Sequence, residues 1–208
     1  MEHRRRSRKP LTTDQMLGIA NYLTYARMAV VPVVVLVMMG MNDHVPYHYL
    51  VNRVLSWTAM ALFAVAQASD AVDGYYARKY GVVSSFGKFM DPLADKLLSM
   101  SVFIMLVSLQ RVSAWMVVLL MAREVSVTAL RGIAASEDIE IAASDWGKKK
   151  TFLQSFALGA LLIHYPFWGI HPRAVGVVLL WGTIVISVGS GIHYVSGFFK
   201  EVLKNQKE

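Results

Sequence analysis

Six long apolar stretches dominate the sequence and restrict what it can fold into. They cover approximately residues 19–41, 50–69, 92–109, 114–130, 152–168 and 174–194. A helix needs about 20 mostly apolar residues to cross the hydrocarbon core of a bilayer, and each stretch is near that length. Hydrophobic residues make up 55% of the 208 positions, which is high for a soluble domain. The sequence therefore predicts an all-α integral membrane protein with six transmembrane helices.

A single membrane domain is expected over the whole chain. It consists of a basic segment at 1–16, a six-helix core at 17–198 and a tail at 199–208. We interpret the basic segment as a disordered tail. The apolar run after it is interpreted as a retained span, because it is long and lacks a small-residue cleavage pattern. The sequence contains no cysteine, so no disulfide framework is possible.

The distribution of positive charge predicts the orientation of these helices. With alternating spans, 18 of the 21 Lys and Arg residues lie on the side of the amino terminus, and Arg53, Arg111 and Arg173 lie on the other side. Loops rich in Lys and Arg stay in the cytoplasm. Both termini are therefore expected to be cytoplasmic in a bacterial inner membrane, and the net charge of +7 reflects topology and anionic surfaces instead of nucleic-acid binding.

Four aspartates lie in the segment that runs from the end of the second apolar stretch into the start of the third. Asp70 and Asp73 are three residues apart, and Asp91 and Asp95 are four apart, so each pair shares one face of a helix. A short connection around 79–86 would make the two helices antiparallel and bring the four carboxylates together. Oxygen ligands of this kind suit Mg²⁺, Mn²⁺ or Ca²⁺. Two such ions would balance four carboxylates and support phosphoryl chemistry.

Small residues accompany the aspartates at helical spacing. Gly74, Ala77 and Gly87 leave room beside a metal site for a bulky nucleotide. Arg78 is placed to pair with a phosphate. A solvated polar helix face is the alternative interpretation, but the number of fixed positions between apolar runs favours a site.

A second group of polar residues begins within the fourth apolar stretch and continues to the start of the fifth. Arg123 and Arg131 lie eight residues apart, and a lysine run opens the fifth stretch at 148–150. These cations could be topological anchors, and we interpret Lys149 in that way. Charges deep in apolar sequence are costly without a partner, which favours an anion pocket at the two arginines, with Glu124 as one partner.

The aspartate pattern resembles the motif of the CDP-alcohol phosphotransferase family. The chain reads D-x-x-D-G-x-x-A-R from Asp70, then eight residues, then G-x-x-x-D-x-x-x-D ending at Asp95, and every motif position is filled. The segments 21–27, 89–96, 122–124, 130–131 and 147–151 are also similar to family members that use glycerol 3-phosphate. This resemblance implies a six-helix membrane fold, a homodimer, and transfer of a phosphatidyl group from CDP-diacylglycerol to an alcohol with release of CMP.

The resemblance also implies roles for individual residues. Metal binding, by two Mg²⁺ or Mn²⁺ ions, would fall to Asp70, Asp73, Asp91 and Asp95, and Asp95 would be the base for the acceptor hydroxyl. CDP-diacylglycerol would be bound by Asn21, Thr24, Ser69, Gly74, Ala77, Arg78 and Gly87. Glycerol 3-phosphate would be bound by Arg123, Arg131, Lys148 and Lys150. Segment 136–145 departs from the basic character expected beside that pocket.

Three alternatives remain open from the sequence. Within the family, the acceptor could instead be phosphatidylglycerol, inositol phosphate, serine or choline. A membrane prenyltransferase also uses paired aspartates, but on well-separated loops of a larger bundle. A cation-coupled transporter would place acidic residues near mid-span in two repeated halves, and no such repeat is present.

Overall fold

The computed structural model describes residues 13–43, 48–80, 85–136 and 145–205. Side chains are described over 25–43, 48–69, 93–134 apart from 95, and 146–198 apart from 148. The described residues form six α-helices. They are α1 (Thr13–Met39), α2 (Tyr49–Tyr80), α3 (Ser85–Ser108), α4 (Ala114–Ser136), α5 (Asp145–Ile163) and α6 (Pro172–Asn205). An all-α fold is therefore confirmed.

Two of the helices contain segments long and apolar enough to cross a membrane. These segments are Tyr49–Ser69 in α2 and Pro172–Phe198 in α6. Shorter apolar segments occur at Tyr25–Met39 and Lys96–Ser108. The helices match the six predicted apolar stretches in number and order, whereas six membrane crossings stay a prediction.

The fifth helix ends earlier than the sequence predicted. It stops at Ile163 instead of continuing to position 168, because Pro166 lacks a backbone N–H and disfavours helical geometry in the residue before it. His164 has a positive φ of 56°, which breaks the helix at once. A tight turn follows, in which Phe167 and Ile170 exchange two backbone hydrogen bonds of 3.2 and 2.9 Å.

The core lies where α3 and α5 face the other helices. Along α3, Leu98, Val102 and Leu106 are each at most 1% exposed and recur every four residues, so they form one apolar stripe. Helices α5 and α6 pack closely at Gly176. A Cβ atom there would lie 2.7 Å from Leu161 Cγ, so only glycine allows this approach.

A polar cluster closes the end of the bundle formed by the α1–α2, α3–α4 and α5–α6 connections. Arg111 is 3% exposed, and its Nε and Nη2 donate to Asp43 at 2.7 and 3.0 Å. Its other contacts are Nη2 to Ser56 Oγ at 3.1 Å and Nη1 to the Leu162 carbonyl at 2.9 Å. Tyr165 donates to Asp43 at 2.7 Å. We call Arg111, Asp43, Ser56 and Tyr165 the Arg111 cluster.

The Arg111 cluster fixes the ionisation of its members. Burial raises the pKa of Asp43, but hydrogen bonds from Arg111 and Tyr165 and the charge of Arg111 outweigh it, so the pKa falls below its ordinary value. Burial and the contact with Asp43 raise the pKa of Tyr165 to about 12. The carboxyl group is therefore ionised and the phenol protonated at neutral pH.

Candidate active site

The aspartate motif lies on two consecutive helices. Asp70 and Asp73 fall in the last part of α2, and Asp91 and Asp95 fall in the first part of α3. The helical backbone that the spacing predicted is present through both halves of the motif. The side chains of the four aspartates are outside the described set, so their role as metal ligands stays a prediction. The side chains of seven predicted substrate-binding residues are also outside the described set, so their contacts stay predictions. These residues are Asn21, Thr24, Gly74, Ala77, Arg78, Gly87 and Lys148.

Ser69 is the predicted donor-site residue whose side chain is described. Its hydroxyl donates to the Val65 carbonyl within α2 at 2.8 Å. This bond leaves the oxygen's lone pairs available as acceptors. A contact with the donor substrate stays a prediction.

A polar cavity lies between α3, α4 and α5 and has a volume of about 190 Å³. Its charged wall residues are Lys96, Arg123, Glu124, Arg131 and Lys150. Four cations against one carboxylate leave an excess of positive charge. We call this space the basic cavity, and its wall contains three of the four residues predicted to bind the acceptor phosphate.

Arg123 is held in place by α6. Its Nε donates to the Ser187 carbonyl at 3.1 Å, and its Nη2 donates to Ser190 Oγ at 2.8 Å. A Cβ atom at Gly191 would lie 3.2 Å from Arg123 Cγ, so glycine lets α6 approach closely. The third nitrogen, Nη1, lies 3.8 Å from Glu124 Oε1, which confirms Glu124 as a partner of Arg123.

Lys150 enters the basic cavity from α5. It is 2% exposed, and its ammonium forms an ion pair with Glu124. A buried ammonium is costly unless paired, and Glu124 supplies the pairing from α4. Over the described residues the backbones of α4 and α5 lie apart, so this ion pair bridges the two helices across the cavity. Lys149 is exposed, and its ammonium lies 5.2 Å from the Trp146 ring centroid.

Arg131 lies at the exposed rim of the basic cavity. Its guanidinium carbon is 5.5 Å from the ring centroid of Tyr194 on α6. A cation over an aromatic face is attracted by the ring, and this contact holds the arginine near the opening. Arg131 is thus more accessible than Arg123, the other arginine predicted to bind the acceptor phosphate.

The sequence did not predict several further polar residues of the basic cavity, among them Lys96, Thr128 and Gln154. The Lys96 ammonium contacts Thr128 Oγ1, and Thr128 donates to the Glu124 carbonyl at 2.7 Å. Gln154 lies one turn after Lys150 on α5 and also lines the cavity. The sequence did contain a signal for Lys96 and Gln154. Lys96 follows Asp95 directly, and Gln154 is four residues from Lys150 on the same helix. The segment at 136–145, which lacks the basic residues expected beside the acceptor pocket, lies mostly outside the described residues.

Comparison with known proteins identifies the family. Residues 17–189 match the family model described as CDP-alcohol phosphatidyltransferase. The match covers most of the chain, so the protein belongs to this family, and the resemblance drawn from the aspartate motif is confirmed.

Several relatives are similar over nearly the full length. The CDP-diacylglycerol–glycerol-3-phosphate 3-phosphatidyltransferase of Bacillus subtilis (strain 168) is 36% identical over 190 residues, covering 87% of this chain and 95% of the relative. The protein of the same name from Rickettsia typhi is 38% identical, covering 86% and 96%. A probable phosphatidylglycerophosphate synthase of Mycobacterium tuberculosis (strain H37Rv) is 36% identical, covering 90% and 85%.

Proposed function

We propose that this protein transfers the phosphatidyl group from CDP-diacylglycerol to glycerol 3-phosphate, giving phosphatidylglycerophosphate and CMP. The observation that carries the proposal is the basic cavity between α3, α4 and α5. One of its walls is the helix that bears Asp91 and Asp95. The names of the similar proteins support the same donor and acceptor.

The reaction is a substitution at the phosphatidyl phosphorus. The primary hydroxyl oxygen of glycerol 3-phosphate forms a bond to this phosphorus, and the bond from phosphorus to the oxygen of CMP breaks. The hydroxyl proton passes to the Asp95 carboxylate, and CMP leaves with the bonding electron pair. A carboxylate within reach of the acceptor hydroxyl acts as a general base in such a step.

The four aspartates would hold one or two divalent cations, Mg²⁺ or Mn²⁺. The support is the all-oxygen donor set of Asp70, Asp73, Asp91 and Asp95 on two consecutive helices, which suits hard cations. Bound there, the ions would neutralise charge on the pyrophosphate of the donor.

The basic cavity would receive the acceptor. Its volume of about 190 Å³ is below the roughly 300–1,000 Å³ of sites for drug-sized ligands. A small phosphate ester fits this size better than phosphatidylglycerol, the acceptor of a cardiolipin synthase. Arg131, Arg123, Lys150 and Lys148 would bind the phosphate, because charged N–H donors form its strongest hydrogen bonds.

An apolar groove beside the basic cavity would take a lipid tail of the donor. The groove lies between α2, α5 and α6 and has a volume of about 440 Å³. Ser155 lines both spaces, so a tail in the groove would lie next to the acceptor. The CDP moiety would contact Gly74, Ala77, Arg78 and Gly87, with Asn21, Thr24 and Ser69 beside them.

Release of CMP from CDP-diacylglycerol tests the function. We expect purified protein with Mg²⁺ to release CMP at least about tenfold faster with glycerol 3-phosphate than with phosphatidylglycerol, inositol phosphate, serine or choline. Serine and choline lack the phosphate, and loss of one charged contact lowers the rate by about tenfold or more. Phosphatidylglycerol and inositol phosphate are larger than glycerol 3-phosphate, and the cavity volume of about 190 Å³ disfavours them. A different preferred acceptor would replace the proposed one. Absence of CMP release with every acceptor would favour the alternative of a cation-coupled transporter.

We further propose six membrane crossings, a homodimer, and a cytoplasmic location for both termini in a bacterial inner membrane. The charge distribution of the sequence supports this orientation. The absence of cysteine allows single substitutions Ser7→Cys and His44→Cys to be probed with an impermeant thiol reagent on intact cells. We expect labelling at position 44 and none at position 7, and the reverse pattern would contradict the topology.

A further inference from the structure

Gln154 is a wall residue of the basic cavity, and one of its polar atoms is unsatisfied among the described residues. Its Oε1 is buried and has no hydrogen-bond partner among the described residues, and the residue lines the cavity. A buried acceptor without a partner destabilises the structure, because it has lost its hydrogen bonds to water. A ligand that brings a hydroxyl group to this atom would remove that destabilisation.

The neighbouring hydroxyl groups on α5 each make a hydrogen bond, whereas the buried Gln154 Oε1 makes none among the described residues. Thr151 and Ser155 donate to backbone carbonyls of their own helix at 3.2 and 3.1 Å. Glu124 is engaged by Lys150 and Arg123. The Lys and Arg side chains are donors without acceptor atoms, so they suit phosphate oxygens. The cavity thus combines a cationic part for a phosphate with a neutral amide.

We propose that Gln154 is the residue that recognises the secondary hydroxyl of glycerol 3-phosphate. This inference rests on the proposed function and names the contact that selects the acceptor. The acceptor's phosphate is matched by the cations, and its primary hydroxyl is consumed in the reaction. The secondary hydroxyl is left as the group that needs a neutral partner. Because a hydroxyl both donates and accepts, it pairs with the amide in either orientation.

A substrate analogue isolates this contact. Compared with glycerol 3-phosphate, 3-hydroxypropyl phosphate keeps the phosphate and the primary hydroxyl and lacks the secondary hydroxyl. For wild-type protein we expect kcat/KM to be at least about tenfold higher with glycerol 3-phosphate, because a site built to bond a hydroxyl discriminates against its absence. Gln154→Met removes the amide at similar volume. It should lower kcat/KM for glycerol 3-phosphate by about tenfold and leave the analogue within about threefold.

Arg131→Ala is the matched control. Both acceptors contain the phosphate, so loss of a phosphate contact should lower kcat/KM for both by a similar factor, about 10- to 100-fold. The ratio between the acceptors should stay as in the wild type. Gln154→Met should change that ratio, which a purely structural role of Gln154 would not do.

Two results would overturn the inference. In one, wild-type protein uses both acceptors equally well. In the other, Gln154→Met lowers kcat/KM by the same factor for both acceptors. If Gln154→Met does not fold, Gln154→Asn, which keeps the amide and shortens the side chain, is used for the same comparison. Wild-type protein that is inactive with both acceptors, yet releases CMP with another alcohol, refutes the proposed function and the inference with it. If wild-type protein prefers glycerol 3-phosphate over the analogue and Gln154→Met does not, the result supports both the proposed function and the role of Gln154.

Discussion

Asp91→Asn is expected to lower kcat by roughly 100-fold or more. The substitution keeps the size of the side chain and removes one of the negative charges proposed to hold the metal ions. A charged contact is worth up to about 3 kcal/mol, and that free energy corresponds to about a hundredfold in rate. Turnover is measured as CMP release from CDP-diacylglycerol with saturating glycerol 3-phosphate.

The dependence on metal concentration separates loss of metal binding from misfolding. Weaker binding means that the Asp91→Asn protein should recover part of its activity as Mn²⁺ is raised well above the level that saturates wild type. Glu201→Gln, a matched loss of charge outside the motif on α6, should keep wild-type turnover. Full activity in excess EDTA, or of the Asp91→Asn protein at low metal, would contradict the metal site.

Arg111→Ala should lower the free energy of unfolding by about 3–5 kcal/mol. Removal of one member of a buried ion pair leaves the other charge uncompensated. In this protein the loss would affect the Asp43 carboxylate, the Ser56 hydroxyl and the Leu162 carbonyl together. Unfolding in detergent, followed by circular dichroism against denaturant, measures the change. Arg173→Ala is the matched control, because this arginine is exposed and exposed sites usually change stability by less than about 0.5 kcal/mol.

The double variant tests whether the ion pair itself is responsible. Arg111→Met with Asp43→Asn removes both charges, so its loss of unfolding free energy should be clearly smaller than the sum of the losses in the two single variants.

The depressed pKa of Asp43 also predicts that stability depends on pH. Its contribution to stability is complete above the ordinary value of 3.8 and is lost as pH falls through the lower folded-state pKa. The stability gap between wild type and Asp43→Asn should therefore narrow in acid, and a constant gap would exclude this account.

The sequence predicted those parts of the fold that depend on local pattern. Six apolar runs gave six helices, and the helical spacing of the aspartates agrees with the continuous backbone of α2 and α3. The predicted end of α5 was wrong because the prediction followed the apolar composition of 164–168. Pro166 in this segment lacks a backbone N–H and interrupts the helix. Arg123 and Glu124 were predicted to pair because they are adjacent in sequence.

Contacts between distant residues could not be predicted in the same way. The ion pair of Lys150 with Glu124 and the bonds of Arg123 to Ser187 and Ser190 depend on which helices pack together. Periodicity in one sequence gives the face of a helix and does not give its neighbour. Arg111 was counted as one of three positive charges on its side of the membrane, and nothing near it in sequence indicated Asp43, 68 residues away.

The Arg111 cluster has a consequence for how the chain is made. The Leu162 carbonyl that accepts from Arg111 lies 51 residues further along the chain. At about 5–20 residues per second, a ribosome reaches it some seconds after Arg111 has emerged. During that interval Asp43 and Ser56 have been synthesised as partners for the guanidinium, whereas the Leu162 carbonyl and Tyr165 have not. The cluster therefore closes after α5 has been synthesised, and a product truncated before that helix would present an incompletely paired cation to the machinery that removes defective proteins.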